Sequence, residues 1–173
     1  MRPWFLTLAA ALNLFLIFWL FSWKVPGYTG LELTEAESGS RLALYLLRDG
    51  EPVVLRWRNS LFGLDVTEIF IAESGALIQT EVTFADPGGA APPRVSARDV
   101  DDLYHTGGAF SAAGMSRPFT RVVYRVGEIG ESRLTVRERV VDFKREVGFG
   151  GRIVLTTSAP GLLDGLWEKI RTP

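Results

Sequence analysis

The chain has 173 residues, of which 47% are hydrophobic and 23% charged, which is enough for one globular domain of ordinary size plus one additional element. With 19 lysines and arginines against 20 acidic residues, the formal net charge is −1, so the composition encodes no general attraction to nucleic acid. The absence of cysteine excludes disulfides, thiolate metal ligands and cysteine nucleophiles.

The additional element is an uncharged apolar run at the start of the chain, WFLTLAAALNLFLIFWLFSW, residues 4–23. At about 1.5 Å per residue a helix of this length spans about 30 Å, the thickness of the hydrocarbon core of a bilayer. Bulky Phe21 and Trp23 stand where a cleavage site needs small residues. Residues 4–23 are therefore predicted to be an uncleaved transmembrane signal anchor, with a cleaved signal peptide as the alternative.

The charges that flank this segment predict its orientation. The amino terminus and Arg2 precede it and Lys24 follows it, and the more positive flank of an anchor generally stays in the cytoplasm. We therefore expect a single-pass protein of the cytoplasmic membrane that contacts the lipid bilayer through residues 4–23, with its C-terminal domain extracytoplasmic. Residues 24–30, which include a Pro-Gly pair, are predicted to be a linker.

From Leu31 onward the hydrophobic pattern alternates, and β-branched and aromatic residues dominate. Asp49-Gly50 in RLALYLLRDGEPVVLRW and Glu73-Ser74-Gly75 in DVTEIFIAESGALIQTEVTF each predict a β-hairpin. A third hairpin, FTRVVYRVGEIGESRLTVRERVVDF, is predicted to turn at residues 127–132, and RIVLTTS supplies a last strand. About seven or eight strands at this spacing predict an all-β domain over residues 31–158, an antiparallel β-sandwich or small barrel.

Two segments depart from the alternating pattern. Residues 85–119 contain four prolines among many small residues and are predicted to be a long irregular loop, a kind of segment that is commonly functional or mobile. Residues 159–171 place Leu162, Leu166 and Ile170 on one helical face. They predict a short C-terminal amphipathic helix that docks on its own domain, because acidic and basic residues balance on its polar side.

The stretch LRWRNSLFGLDVTE, residues 55–68, combines many polar and apolar side chains. Alternation along its second strand puts Glu68 on the same face as Val66 and Phe70, so the carboxylate is expected among apolar side chains. An unpaired charge there costs several kcal/mol, and Glu68 is therefore expected to have a polar or charged partner. The nearest candidates in the sequence are Arg56, Arg58 and Asn59.

The order of WRNS, VTEIF, TEVTF, GGAAPP, GAF and MSRPF resembles the bacterial family called domain of unknown function 1850, over about residues 41–141. The resemblance implies a small exported or membrane-anchored all-β protein with a His-Ser motif, a later glutamate and a Gly-Ala-Gly-Met-Pro-like loop. Here Asn59-Ser60 replaces His-Ser, Glu68 matches the glutamate, and residues 88–92 match the loop. Asn cannot exchange a proton near neutral pH, so the acid–base role that a histidine could have is in doubt. The family has no established activity, but the resemblance implies an accessory role beside tripartite transporters that use an exported solute receptor.

Three interpretations of the opening stretch stay open, whereas the glycine-rich segment is predicted to be an ordinary turn. An ion pair or amide contact of Glu68 would fix strand register, a polar cluster at the mouth of the sandwich would contact a ligand, and a catalytic role would need a base and a group that positions it. No catalytic residue is assigned. The candidate binding residues are Arg56, Arg58, Asn59, Ser60, Glu68, Gly88, Gly89 and Pro92.

His105 is the only histidine, so any histidine-dependent triad or metal site has to include it. Asp99, Asp101 and Asp102 precede it, but the spacing fits no calcium loop, and a solvated acidic turn is the preferred interpretation. No metal or other cofactor is predicted. Arginines between positions 117 and 139 interleave with glutamates and predict a cross-strand pairing surface, with a surface for an acidic partner as the alternative.

The favoured function is a non-enzymatic binding or accessory module, tethered outside the cytoplasmic membrane, that contacts a transporter or its solute receptor through residues 85–119 and the opening stretch. The alternatives are a tethered hydrolase-like enzyme that uses Glu68, Ser60 or His105, and an envelope scaffold without a ligand. Nucleic acid is not an expected partner, because no aromatic stacking platform accompanies the basic residues.

Overall fold

The computed structural model describes Leu12, Asn13, Phe15 and residues 24–161. Within residues 24–161 the chain forms ten β-strands and two short helices. The strands are β1 Tyr28–Glu35, β2 Arg41–Arg48, β3 Pro52–Asn59, β4 Leu64–Glu73, β5 Ala76–Ala85, β6 Phe110–Phe119, β7 Arg121–Arg125, β8 Arg133–Val136, β9 Arg139–Asp142 and β10 Arg152–Ser158. The helices are α1 Val100–Thr106 and α2 Phe143–Val147.

The strands form two open antiparallel sheets. One has the order β2-β1-β10-β7 and the other the order β6-β5-β4-β3-β8-β9. Their inner faces meet in a core that includes Leu31 and Leu33 of β1 and Leu55 of β3, all fully buried. Burial alternates along each strand, as in β4, because successive side chains point to opposite faces of a sheet. The predicted all-β antiparallel fold is confirmed as a sandwich, and the barrel alternative is wrong.

A second core cluster lies on the six-stranded sheet and is covered by the segment 86–109, which we call the cap. It includes Val66 of β4 and Phe84 of β5, and the cap contributes Val100 of α1, which is fully buried. Residues 110–119 pair with β5 as strand β6. The prediction of one long irregular loop over residues 85–119 is therefore wrong, because buried apolar side chains of this segment complete a core.

Only one of the three predicted hairpins forms as expected, and it joins β4 to β5 through Glu73 and its neighbours. Strands β2 and β3 belong to different sheets, so the turn at Asp49-Gly50 is a crossover. Asp49 accepts a hydrogen bond from the buried Thr29 hydroxyl at 3.0 Å, which ties this turn to the start of β1. Strands β7 and β8 also belong to different sheets, and β8 instead forms a hairpin with β9.

The ends of the domain differ from the predicted boundaries. Strand β1 begins at Tyr28, so the last three residues of the predicted 24–30 linker belong to the sandwich. The Val25 amide donates to the Pro160 carbonyl at 2.9 Å, so the two ends of the domain lie side by side. The predicted anchor at residues 4–23, apart from Leu12, Asn13 and Phe15, and residues 162–171 of the predicted C-terminal helix lie outside the described residues. No helix among the described residues is long and apolar enough to cross a membrane.

The sandwich has two ends that differ in their connections. At the entry end, the chain enters at Lys24 and leaves at Gly161, and Gly75 of the β4–β5 turn donates to Thr29 at 3.0 Å. At the opposite, distal end, the Arg58 amide donates to the Gly130 carbonyl at 2.6 Å. The strand register places the turns 36–40, 60–63, 127–132 and 148–151 at the distal end.

Candidate functional site

The Glu68 carboxylate is the most deeply buried acidic group among residues 24–161, with 7% of the residue exposed. It projects from the middle of β4 between Val66, which belongs to the core cluster under the cap, and Phe70, which belongs to the core between the sheets. The predicted position of Glu68 among apolar side chains is therefore confirmed. The carboxylate lies where the two clusters meet.

Four neutral donors bind this carboxylate. The Trp57 indole N–H of β3 donates to Oε2 at 3.1 Å, and the Gln79 side-chain amide of β5 donates to Oε1 at 2.8 Å. The Tyr104 hydroxyl of α1 donates to Oε1 and the Tyr124 hydroxyl of β7 donates to Oε2, each at 3.2 Å. Glu68 therefore connects three strands of one sheet, one strand of the other sheet and the cap.

The expected partners Arg56, Arg58 and Asn59 are not the partners of Glu68. Alternation along β3 turns Trp57 toward Glu68 and turns both arginines to the opposite, exposed face. The indole was available to sequence reasoning, because Leu55 and Trp57 share the face that Glu68 occupies on the neighbouring strand. The two tyrosines lie 36 and 56 residues from Glu68 along the chain, and no local pattern could place them there.

Burial governs the acid–base properties of this cluster. Desolvation raises the pKa of Glu68 above its ordinary value of 4.5, and the four hydrogen bonds offset part of that effect because they favour the ionised form. Burial also raises the pKa values of Tyr104 and Tyr124, and the negative charge of Glu68 raises both further. Within residues 24–161 no basic side chain forms an ion pair with Glu68, so the ionised carboxylate has no countercharge in contact with it.

Aromatic rings surround the side of the cluster that faces the cap. The Phe84 ring of β5 lies 5.0 Å from Tyr104 in an edge-to-face arrangement and 4.7 Å from Phe110 in a stacked one, measured between ring centroids. The Trp57 ring contacts Phe84 edge-on at 6.1 Å. Such pairs stabilise by about 1 kcal/mol each beyond their burial. Apolar packing, the Tyr104–Glu68 hydrogen bond and the Arg117–Asp101 ion pair therefore hold α1 against the sheet.

Asn59 has a structural role at the β3–β4 turn. Its side-chain Oδ1 accepts hydrogen bonds from the amides of Leu61 at 3.0 Å and Phe62 at 3.3 Å, which closes the turn as an asparagine side chain commonly does. Neighbouring Ser60 is exposed. Arg56 and Arg58 are exposed on the outer face of β3.

The glycine-rich segment follows β5 and forms an exposed turn in which the Gly89 amide donates to the Asp86 carbonyl at 2.9 Å. Gly88 is exposed as well, and Pro92 is half-buried. Because Ala85 pairs with Asp65 at the distal end, this turn leaves the sheet at the same end as Asn59 and Ser60. The candidate residues therefore divide into buried Glu68 and a group of mostly exposed residues.

Large apolar side chains are exposed at the distal end. Leu61 is 85% exposed, Phe62 45%, Ile129 51% and Phe149 69%. The turns that carry them are neighbours, since Gly130 contacts Arg58 and the Gly150 amide donates to the Val126 carbonyl at 2.9 Å. We call these four residues the distal apolar surface. Sequence reasoning missed them, because an isolated apolar residue in a turn shows nothing about which other turns lie beside it.

The remaining sequence candidates do not converge on Glu68. His105 is exposed on α1, and within the described part of the chain it contacts neither Ser60 nor Glu68. Asp101 accepts a hydrogen bond from Arg117 at 2.8 Å, and the described residues contain no group of three or more acidic and histidine side chains that could hold a metal ion. The arginines between positions 117 and 139 lie on strands of both sheets and in the β8–β9 turn, so they do not belong to one hairpin.

Comparisons with protein-family models, with curated proteins and with solved structures find no match.

Proposed function

We propose that the protein is a membrane-anchored, extracytoplasmic binding module without enzymatic activity, and that it serves a tripartite transporter as an accessory component. In this proposal residues 4–23 cross the cytoplasmic membrane once and hold the sandwich on its outer side. The distal apolar surface binds the transporter's exported solute receptor or one of its membrane subunits.

The observation that carries the proposal is the position of the distal apolar surface relative to the ends of the domain. Lys24 and Gly161 lie together at the entry end, and the four exposed apolar residues lie at the other end. The ten-residue strand β5 runs between the two ends and spans about 33 Å at the usual rise per residue. A tether at Lys24 would therefore present this surface about 30 Å from the membrane, within reach of an exported protein.

The character of the surface also favours a protein partner. Single exposed apolar side chains are common, but adjoining turns of one sandwich end that expose leucine, isoleucine and phenylalanine are typical of an interaction site. Such sites combine an apolar centre with a polar rim. Exposed Arg58 and Glu131 supply polar side chains next to these turns.

Affinity capture from detergent-solubilised membranes tests the proposal. We expect the wild type to recover a transporter component, and we expect a Leu61→Ser/Phe149→Ser double variant to recover at least about tenfold less, the equivalent of about 1.4 kcal/mol of binding free energy. Val140→Ser is the matched control, because Val140 is a similarly exposed apolar residue, 59% exposed, on edge strand β9. Failure of the wild type to recover a transporter component, or equal recovery by the double variant, contradicts the proposal.

Membrane topology requires a separate test, for which the absence of cysteine is useful. Ala90→Cys places one thiol at an exposed position of the cap. We expect a membrane-impermeant thiol reagent to label this variant in intact cells after the outer permeability barrier is opened, and the protein to sediment with the membranes. Labelling only after lysis of the cytoplasmic membrane contradicts the proposed orientation, and recovery in the soluble fraction contradicts the anchor.

A further inference from the structure

The four donors that bind Glu68 differ in how firmly the fold holds them. Trp57, Gln79 and Tyr124 are fixed in β-ladders of the two sheets, whereas Tyr104 lies on α1, which belongs to no ladder. Helix α1 has seven residues, and the side chain of Asp99, the residue directly before it, does not cap the helix. Of the elements that contact the carboxylate, α1 is therefore the one that can move away without breaking a sheet. The first part of the cap stays joined to β6, because the Val95 amide donates to the Ser111 carbonyl and the Ser111 amide donates to the Pro93 carbonyl, each at 2.9 Å.

We propose that Glu68 is a proton-operated latch that controls the cap: with a proton on the carboxyl group the cap stays closed over the six-stranded sheet, and loss of this proton loosens the cap.

The hydrogen bonds of the closed state are compatible with a protonated carboxyl group. A tyrosine hydroxyl can accept a hydrogen bond as well as donate one, so the added proton can be donated to the oxygen of Tyr104 or Tyr124 while the other three contacts keep their direction. The neutral group carries no charge into the apolar surroundings. The free-energy cost of burying Glu68 under the closed cap is therefore lowest when Glu68 is protonated.

The ionised carboxylate favours an open cap for a different reason. Its hydrogen bonds are satisfied, but its full charge lies between two apolar clusters without a contacting countercharge in the described part of the chain. Water could reach the carboxylate if α1 moved away, and hydration then lowers the free energy of the charged form. Opening breaks the Tyr104 hydrogen bond, the packing of α1 and the exposed Arg117–Asp101 ion pair. Of these contributions and the hydration of Glu68, only the hydration depends on the charge of Glu68, so its protonation state shifts the balance.

None of the other groups that face Glu68 titrates in the acidic to neutral range. Trp57 and Gln79 are not titratable, and the pKa values of Tyr104 and Tyr124 are raised. The charge of Arg117 acts on Tyr104, but Arg117 is paired with Asp101 at 2.8 Å. His105 is exposed on the same helix and is not in contact with the carboxylate.

The latch would regulate the distal apolar surface, and this part rests on the proposed function. Gly107, directly after α1, lies against the Phe62 ring so closely that a Cβ on Gly107 would be 2.5 Å from a ring carbon. Movement of the cap therefore removes a support of Phe62. We expect partner binding to weaken as the pH rises, and Glu68→Gln to remove this dependence.

Hydrogen exchange of the full-length protein in detergent tests the latch without any partner. The Leu103 amide donates to Asp99 and the Gly107 amide donates to Leu103, so exchange at these two amides reports cap opening. After correction for the intrinsic exchange rate, we expect their opening to increase by up to tenfold per pH unit between the ordinary glutamate pKa of 4.5 and the raised pKa of Glu68. Amides of the β4–β5 hairpin exchange only when the sheet itself opens, so they should stay better protected than the two cap amides at every pH.

Two variants make the result specific. Glu68→Gln should abolish the pH dependence of cap opening, and Glu81→Gln, which neutralises an exposed glutamate of β5, should preserve it. If Glu68→Gln does not fold, the titration of Glu68 is instead followed in the wild type through the carbon-13 chemical shift of its carboxyl group. The pH range of that titration must coincide with the pH range over which cap protection changes. A flat pH profile, a wild-type profile in Glu68→Gln, a titration that does not coincide, or protection of the two cap amides equal to that of the hairpin amides overturns the latch. Loss of partner capture with a normal exchange profile overturns only the proposed function.

Discussion

At the scale of single residues, Glu68 shows how a buried carboxylate is accommodated without an ion pair. Four neutral donors bind it, and each of them would lose its acceptor if the side chain were removed. We expect Glu68→Ala to lower the free energy of unfolding by about 3 kcal/mol, because buried donors without acceptors and a cavity both destabilise. Glu68→Gln keeps an oxygen acceptor and should cost about 1 kcal/mol or less. Urea unfolding at pH 7 measures the free energy of unfolding of both variants. Equal losses would show that the hydrogen bonds to Glu68 do not contribute to stability.

The pH dependence of stability follows from the raised pKa of Glu68. A buried carboxyl group with a raised pKa stabilises the folded state fully below its ordinary value of 4.5, and this contribution is lost as the pH rises through the raised value. Wild-type protein should therefore lose stability relative to Glu68→Gln as the pH rises from 4.5 toward neutrality. Urea unfolding of the two proteins at several pH values compares them, and a difference that is constant with pH contradicts the raised pKa.

Asn59 is important for the turn rather than for acid–base chemistry. Its side chain closes the β3–β4 turn through the amides of Leu61 and Phe62. We expect Asn59→Ala to lower the free energy of unfolding by about 1 kcal/mol and Asn59→Asp to be tolerated, because an aspartate oxygen accepts the same bonds. Ser60→Ala, at the exposed next position, should change it by less than about 0.5 kcal/mol and serves as the control. Thermal unfolding distinguishes these outcomes, and equal effects at positions 59 and 60 would contradict the turn role.

At the scale of elements, two glycines in turns of the entry end have similar backbone conformations but different surroundings. Gly50 has φ +92° with open space where a Cβ would lie, whereas Gly75 has φ +84° and a Cβ there would be 2.7 Å from the Ala159 amide nitrogen. We expect Gly50→Ala to cost about 1 kcal/mol and Gly75→Ala about 3 kcal/mol, because only the second adds a backbone clash to the strain of a positive φ. Urea unfolding of both variants measures the difference, and equal costs would mean that the β4–β5 turn can move away from β10.

How much of the fold could be predicted differs between elements for a physical reason. Alternation and β-branched residues are local signals, so most of the strands and the β4–β5 hairpin were predictable. The turn at Asp49-Gly50 was also visible, but its role as a crossover depends on Thr29 and Gly75, which are distant in sequence. Strand β6 and the cap were missed because small residues and prolines weaken the local pattern, and their burial comes from contacts with a distant sheet.

The same distinction applies to the candidate site. The alternation of β4 was sufficient to predict that Glu68 is buried, and a cost argument was sufficient to predict that it has polar partners. The identity of those partners was not predictable from charge, because Trp57 and Gln79 reach Glu68 across neighbouring strands and the two tyrosines come from α1 and the other sheet. Hydrogen bonds from neutral groups satisfy a buried carboxylate without the desolvation of a second charge.

At the scale of the whole molecule, the order of strands makes the sandwich depend on its last strand. Strand β10 lies between β1 and β7, and it is therefore the only connection of β7 to the four-stranded sheet among the described strands. Its residues Ile153 and Leu155 are buried in the core between the sheets. The first and last strands of the domain are thus neighbours, and the four-stranded sheet cannot be completed until the whole domain is present.

This arrangement predicts the effect of shortening the chain. A chain that ends at Gly151 lacks β10, leaves β1 and β7 without a shared partner and exposes the core, so we expect it to lose the cooperative unfolding transition. A chain that ends at Gly161 retains every described strand and should keep the transition. Circular dichroism during thermal unfolding compares the two, and exchange of the β4–β5 hairpin amides shows whether any sheet survives. A cooperative transition in the shorter chain would mean that the six-stranded sheet and its cap fold independently, and the second cluster around Phe84 would then be a self-sufficient core.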